Sequence, residues 1–112
     1  MEDIIGPLKA LSDETRLKIL NMLLTHDYCV GALAGQLRIS KAAVSQHLQV
    51  LRKNGLVKGE KRGYWTHYAV EREALERLAA ALEELAVKTG TSGDCRKEAN
   101  EPCCRKEENH DL

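Results

Sequence analysis

Apolar positions along the chain recur mostly at helical spacing, with one alternating stretch past the middle. Ile4, Ile5, Leu8 and Leu11 form a first stripe, and Gly6-Pro7 should start that helix or kink it. Leu17, Ile19, Leu20, Leu23 and Leu24 form a second stripe, apolar enough for a core helix. Ser12 precedes it as a candidate cap, and Asp13 and Glu14 fall in its first turn, where carboxylates suit the helix dipole. Arg16 beside these acids predicts a structural ion pair. Val30, Leu33 and Leu37 mark a short third helix opened by Cys29, and the THDYCV segment leading into it has room for a short strand. Val44, Leu48 and Leu51 repeat at i, i+4 and i+7, which predicts a fourth helix of about 14 residues. Ser40 caps it, and Asn54-Gly55 stops it.

The period then changes. Leu56 to Lys61 alternates apolar and polar, Lys61-Arg62-Gly63 turns, and Tyr64 to Val70 alternates again, which predicts a β-hairpin with a basic tip. Tyr64, Trp65 and Tyr68 read as packing residues of that hairpin, and His67 as an ordinary strand residue. Glu71 to Lys88 returns to helical spacing, with Leu75, Leu78, Ala79, Leu82, Leu85 and Ala86 on one broad stripe. The fold class that results is mainly α with a small β-hairpin: a winged helix-turn-helix.

The polar positions point to the chemistry. Opposite its apolar stripe the fourth helix carries Lys41, Ala42, Ser45, Gln46 and Gln49, small or polar and free of acids. Such a face fits a major groove, where Gln pairs with adenine, Ala meets a thymine methyl, and Lys reaches guanine or phosphate. The third helix suits the supporting role of the pair. Lys61 and Arg62 are placed to enter a minor groove or bind phosphate. A solvated amphipathic hairpin with a charged turn would account for either helix alone. It does not account for the turn, the caps and the wing together.

Charge changes the picture once its distribution is considered. The formal net charge is zero, yet Arg38 to Arg62 holds seven basic residues against one acid, Glu60. Phosphates respond to that local field rather than to the total. The 112 residues suffice for one domain over 1–88 and a tail over 89–112. In the tail Gly, Ser, Pro and charges dominate, which predicts a flexible segment. The MEDII start is acidic, unlike a signal peptide, and no uncharged apolar run approaches a bilayer span, so a cytoplasmic protein with no membrane partner is expected. In that compartment the four cysteines read as metal ligands or redox sensors before structural disulfides. The core available to one chain is modest and the last helix is more apolar than it needs, so that helix is expected to pair with its copy in a homodimer, assisted by the first helix.

Four stretches together resemble the ArsR/SmtB family of small winged-helix repressors: ALSDETRLKILNMLL (10–24), the Cys-Val start at Cys29, ISKAAVSQHLQVLRKNGLV (39–57) and EKRGYWTHYAV (60–70). With the first and last helices the resemblance covers about residues 1–88. It implies a homodimer that represses an operon from double-stranded operator DNA and is released by a toxic metal or metalloid. It also implies a recognition helix served by Lys41, Ala42, Ser45, Gln46 and His47. The candidate DNA-contacting set becomes Ser40, Lys41, Ala42, Ser45, Gln46, His47, Gln49, Lys61 and Arg62. Many arsenic-responsive members carry Cys-Val-Cys at the start of the supporting helix; here Gly31 stands at the second cysteine position. Zinc-sensing members place Asp and His on the last helix, and residues 71–88 contain no His.

The tail offers a replacement. Cys95, Cys103 and Cys104 enclose a short loop that costs little entropy to close, and arsenite and antimonite prefer three soft sulfurs. As(III) or Sb(III) is therefore the expected inducer, with no constitutive cofactor. Zinc would want a fourth ligand, Cys29 or His110. Alternatives keep the DNA module and change the signal, either to cadmium or zinc or to oxidation of Cys103 or Cys104 against Cys95. A thiol-dependent enzyme is disfavoured, since the chain lacks a glycine-rich phosphate loop, a CxxC and a paired acid–base constellation.

Overall fold

Asp13 sets where the core begins to form. In the computed structural model, which describes residues 3–90, its carboxylate accepts a hydrogen bond from the Arg16 backbone N–H at 3.0 Å and starts α2 (Glu14–Thr25). The cap is thus Asp13, not Ser12. The Ser12 hydroxyl instead donates to the Lys9 carbonyl at 2.8 Å and closes α1 (Ile5–Leu11). Pro7 lies in the first turn of α1, where its missing N–H costs nothing.

After α2 come β1 (Tyr28–Cys29), α3 (Val30–Leu37), α4 (Lys41–Lys53), β2 (Val57–Arg62), β3 (Trp65–Val70) and α5 (Arg72–Ala86). The strands form one antiparallel sheet in the order β1-β3-β2. Arg38 ends α3 in a left-handed conformation at φ 61°, and its N–H bonds back to the Ala34 carbonyl. That makes the tight break between α3 and α4 without a glycine. Gly55, at φ 73°, releases the chain from α4 into β2.

The core gathers one face of each element. Ile19, Leu20 and Leu23 from α2 meet Leu33 of α3, and Val44, Leu48 and Leu51 of α4. Leu56, Val57 and Val70 close it from the root of the hairpin. Among the described residues no polar or charged side chain is fully buried, so cohesion comes from apolar burial, about 1.5–3 kcal/mol for each large side chain. α5 buries only Leu78 and Ala81 fully and leaves Leu82 and Leu85 40% and 45% exposed. Among the described residues no helix is long and apolar enough to cross a membrane.

The hairpin turn differs from the sequence expectation. Arg62 pairs with Trp65, so the turn is Gly63-Tyr64, and Lys61 and Arg62 belong to strand β2. Tyr64 and Trp65 are not packing residues: they are exposed, and Tyr68 alone of the three packs against the core. Alternation in the sequence identified the strands but could not fix a register whose outer half has no buried face to pin it.

Candidate nucleic-acid interface

α4 supplies the exposed face. Ser40 Oγ accepts a hydrogen bond from the Ala43 N–H at 3.0 Å, which fixes where the helix begins. With Val44, Leu48 and Leu51 drawn inward, Lys41, Ala42, Ser45, Gln46 and Gln49 stand exposed. No acid lies on this helix, and Arg52 and Lys53 occupy its last turn. The 13 residues span roughly 20 Å. A major groove about 12 Å wide admits such a rod.

The wing stands beside that face. Ser45, Leu48, Gln49 and Arg52 of α4 and Tyr68 of β3 line a common crevice of about 240 Å³. Lys61 is exposed on β2. Arg62 is engaged within the chain: its guanidinium lies 2.8 Å from Asp27 Oδ2 and 3.1 Å from Glu60 Oε1. Two carboxylates thus share its charge, and Arg62 braces the hairpin against the residue just ahead of β1.

His47 has a partner within the fold. It is half-buried on the side of α4 that meets α2, with Nδ1 3.3 Å from Arg16 Nη1. Arg16 Nε in turn donates to the Ala10 carbonyl of α1 at 2.6 Å. Arg16 therefore joins α1 to the recognition helix instead of pairing with an acid; Glu14 pairs with Lys18 at 3.4 Å. His47 thus supplies a contact between α4 and α2. Sequence spacing offered no sign of this contact, because the partners lie 31 residues apart.

Cys29 is the N-cap residue of α3, half-buried and free, and pairs across the strands with His67. His67 Nδ1 is buried with no hydrogen-bond partner among the described residues. Among those residues no group of three His, Cys, Asp or Glu side chains could hold a metal ion. Cys29 alone cannot satisfy a three-sulfur ion, and Cys95, Cys103 and Cys104 lie outside the described residues.

Residues 13–58, from the cap of α2 to the start of β2, match the family described as bacterial regulatory protein, arsR family. The chain is 38% identical over 78 residues to the transcriptional activator HlyU of Vibrio cholerae, covering 70% of this chain and 72% of that protein. The chain belongs to the ArsR family. It is 44% identical over 78 residues to the arsenical resistance operon repressor of Escherichia coli K12, covering 68% of this chain and 66% of that one. Among solved structures it is similar to a Mycobacterium bovis protein described as a homodimeric winged helix-turn-helix DNA-binding domain, with 30% identity, a TM-score of 0.63, and coverage of 74% of this chain and 77% of that one. This ArsR-family chain is a transcriptional regulator with a winged helix-turn-helix.

One titration bears on how its helices are mounted. The Arg16 backbone N–H holds the Asp13 carboxyl below its ordinary value of 3.8 and outweighs partial desolvation; the charges of Arg16 and His47 act in the same direction as the N–H. A depressed folded-state value stabilises the fold above the unfolded-state value, and that stabilisation is lost as pH falls through the folded-state value. Asp13→Asn keeps a cap acceptor and removes the titration. Its stability, followed by urea denaturation between pH 6 and about pH 3, should fall less steeply on the acid side than that of the wild type. Parallel curves would remove Asp13 from the acid response.

Proposed function

We propose that this protein is a homodimeric repressor that reads operator DNA through α4 and the wing, and that As(III) or Sb(III) bound by Cys95, Cys103 and Cys104 releases it. The observation that carries the DNA reading is the capped, acid-free face of α4, with Lys41, Ala42, Ser45, Gln46 and Gln49 exposed beside the wing. The homodimer is supported by the apolar strip Leu82 and Leu85 left open on α5 and by the solved relative described as homodimeric. Repression and the metalloid signal are supported by the likeness to the arsenical resistance operon repressor and by three thiols in the last 18 residues of the sequence. For a four-coordinate ion such as zinc, Cys29 at the head of the supporting helix is the candidate fourth ligand.

Release requires the inducer to bind the DNA-incompetent state more tightly. Allosteric couplings of about 1–3 kcal/mol shift affinity roughly 5–150-fold. The test is a gel shift with DNA from upstream of the protein's own gene, titrated with arsenite, antimonite, cadmium, zinc and peroxide. Arsenite and antimonite should release the wild type. A variant with Cys95, Cys103 and Cys104 replaced by serine should stay bound at the same concentrations. Equal release of both proteins would overturn the tail-cysteine assignment. Release by peroxide alone would replace the metalloid with thiol oxidation, and release by cadmium or zinc alone would replace it with a divalent ion.

A further inference from the structure

We propose that Tyr64 and Trp65 form an apolar wedge at the tip of the wing that seats in the minor groove of the operator, next to the major groove occupied by α4. This rests on the DNA reading above and extends it to a part of the wing whose basic residues had seemed its only contacts.

Two aromatic side chains stand at the far end of the hairpin with almost no cover: Tyr64 is 95% exposed and Trp65 62%. Nothing in the described fold recovers the cost of hydrating rings of that size, and side chains of this kind are enriched where they meet a partner. Their placement is imposed by the turn. Arg62 and Trp65 are the last strand pair, and only Gly63 and Tyr64 lie between them. Gly63 adopts φ 65°, a conformation that leaves Tyr64 at the apex of a two-residue connection.

The tip is also held in position. Arg62 bridges Asp27 and Glu60, so the outer end of β2 is tied back to the approach to β1. A braced hairpin loses little freedom on binding. The same ion pairs engage Arg62, the cross-strand partner of Trp65, while Lys61, one position inward on the opposite face of the hairpin, is exposed with no ion pair among the described residues. The chemistry of the tip is therefore apolar with one flanking positive charge. Sugar walls and base edges in a minor groove, with phosphates along the rim, match that arrangement.

Continuity with the recognition face selects DNA as the occupant. The crevice lined by Ser45, Gln49 and Arg52 on one side and Tyr68 on the other shows that the wing rises from the edge of the exposed face of α4. A duplex lying on α4 brings the neighbouring minor groove to the wing. Apolar seating reads groove width and ease of deformation instead of donors and acceptors. It adds sequence preference at positions that α4 does not touch.

Trp65 is the sole tryptophan in the chain, so its emission reports the tip directly. Wild-type protein is titrated with its upstream DNA while emission and quenching by iodide are recorded, and a gel shift on the same samples reports binding. The emission should change in step with the gel shift, and the bound tip should be shielded from iodide. Tyr64→Ala with Trp65→Ala should weaken binding on the order of tenfold, the scale of one aromatic–base contact, with no change in the slope of log affinity against log salt. Lys61→Ala should lower that slope by about one. Circular dichroism of the double variant should match the wild type, since both side chains lie outside the core. Binding in the gel with unchanged emission and full iodide access would overturn the wedge while leaving the DNA reading intact. No binding in the gel would overturn the DNA reading itself. A double variant that binds DNA normally but self-associates less would assign the tip to contact between copies and overturn the wedge.

Discussion

Leu51→Ala is expected to lower the unfolding free energy by about 2–5 kcal/mol, the range for deleting a large side chain from a close-packed core. Leu51 is fully buried near the end of α4, and its carbonyl accepts the Leu56 N–H at 3.0 Å across the turn that launches the wing. Its side chain therefore joins the recognition helix, α2 and the root of the hairpin in one cluster. A cavity there loosens both DNA-contacting elements together. Domains of this kind hold only about 5–15 kcal/mol in total, so the loss is a large fraction of the whole. Urea denaturation of wild type and variant at equal protein concentration measures it. A change below about 1 kcal/mol would mean that the site collapses around the gap and that Leu51 does not tie the elements together.

Leu82→Asp combined with Leu85→Asp is expected to produce a monomer and to reduce operator affinity by a factor of roughly 10²–10⁴. Both residues lie on α5 with their side chains well exposed, while the same helix buries Leu78 and Ala81 against its own chain. An apolar strip left open on a helix already docked is explained by a second copy. Charges placed there should break the pairing and leave the single-chain core untouched, so circular dichroism should be retained. Two linked recognition helices gain from effective concentration; one alone binds only a half-site. Analytical ultracentrifugation reads the first effect and a gel shift the second. A variant that still sediments as a dimer would show that copies pair through another surface.

How far these features could be read in advance depends on how local they are. The α4 stripe, the Ser40 cap and the Gly55 stop were legible because each depends on residues within one or two turns. The same holds for the short strand in the THDYCV segment, which is Tyr28–Cys29, and for the Cys29 position at the head of α3. The cap of α2 was misplaced by one residue because Ser12 and Asp13 are both good caps, and the choice between them depends on where α1 ends. Arg16 was misjudged because two acids sit beside it in sequence, while its partners, the Ala10 carbonyl and His47, are brought to it by folding. Arg62 looked free for the same reason: Asp27 is 35 residues away in the chain and 2.8 Å away in space. The wing aromatics read as packing residues in the sequence because alternation shows which residues share a face of a hairpin and says nothing about whether anything covers it. The tail cysteines were legible only from composition and spacing and lie outside the described residues.

A repressor of this kind must discriminate between its operator and bulk DNA. Reduced protein without inducer should be titrated against labelled upstream DNA and against random-sequence duplex of the same length, at several salt concentrations. The affinity ratio should be on the order of 10³ or more in favour of the upstream fragment, and binding should weaken steeply as salt rises. Equal affinity for the two duplexes at every salt concentration would contradict that discrimination.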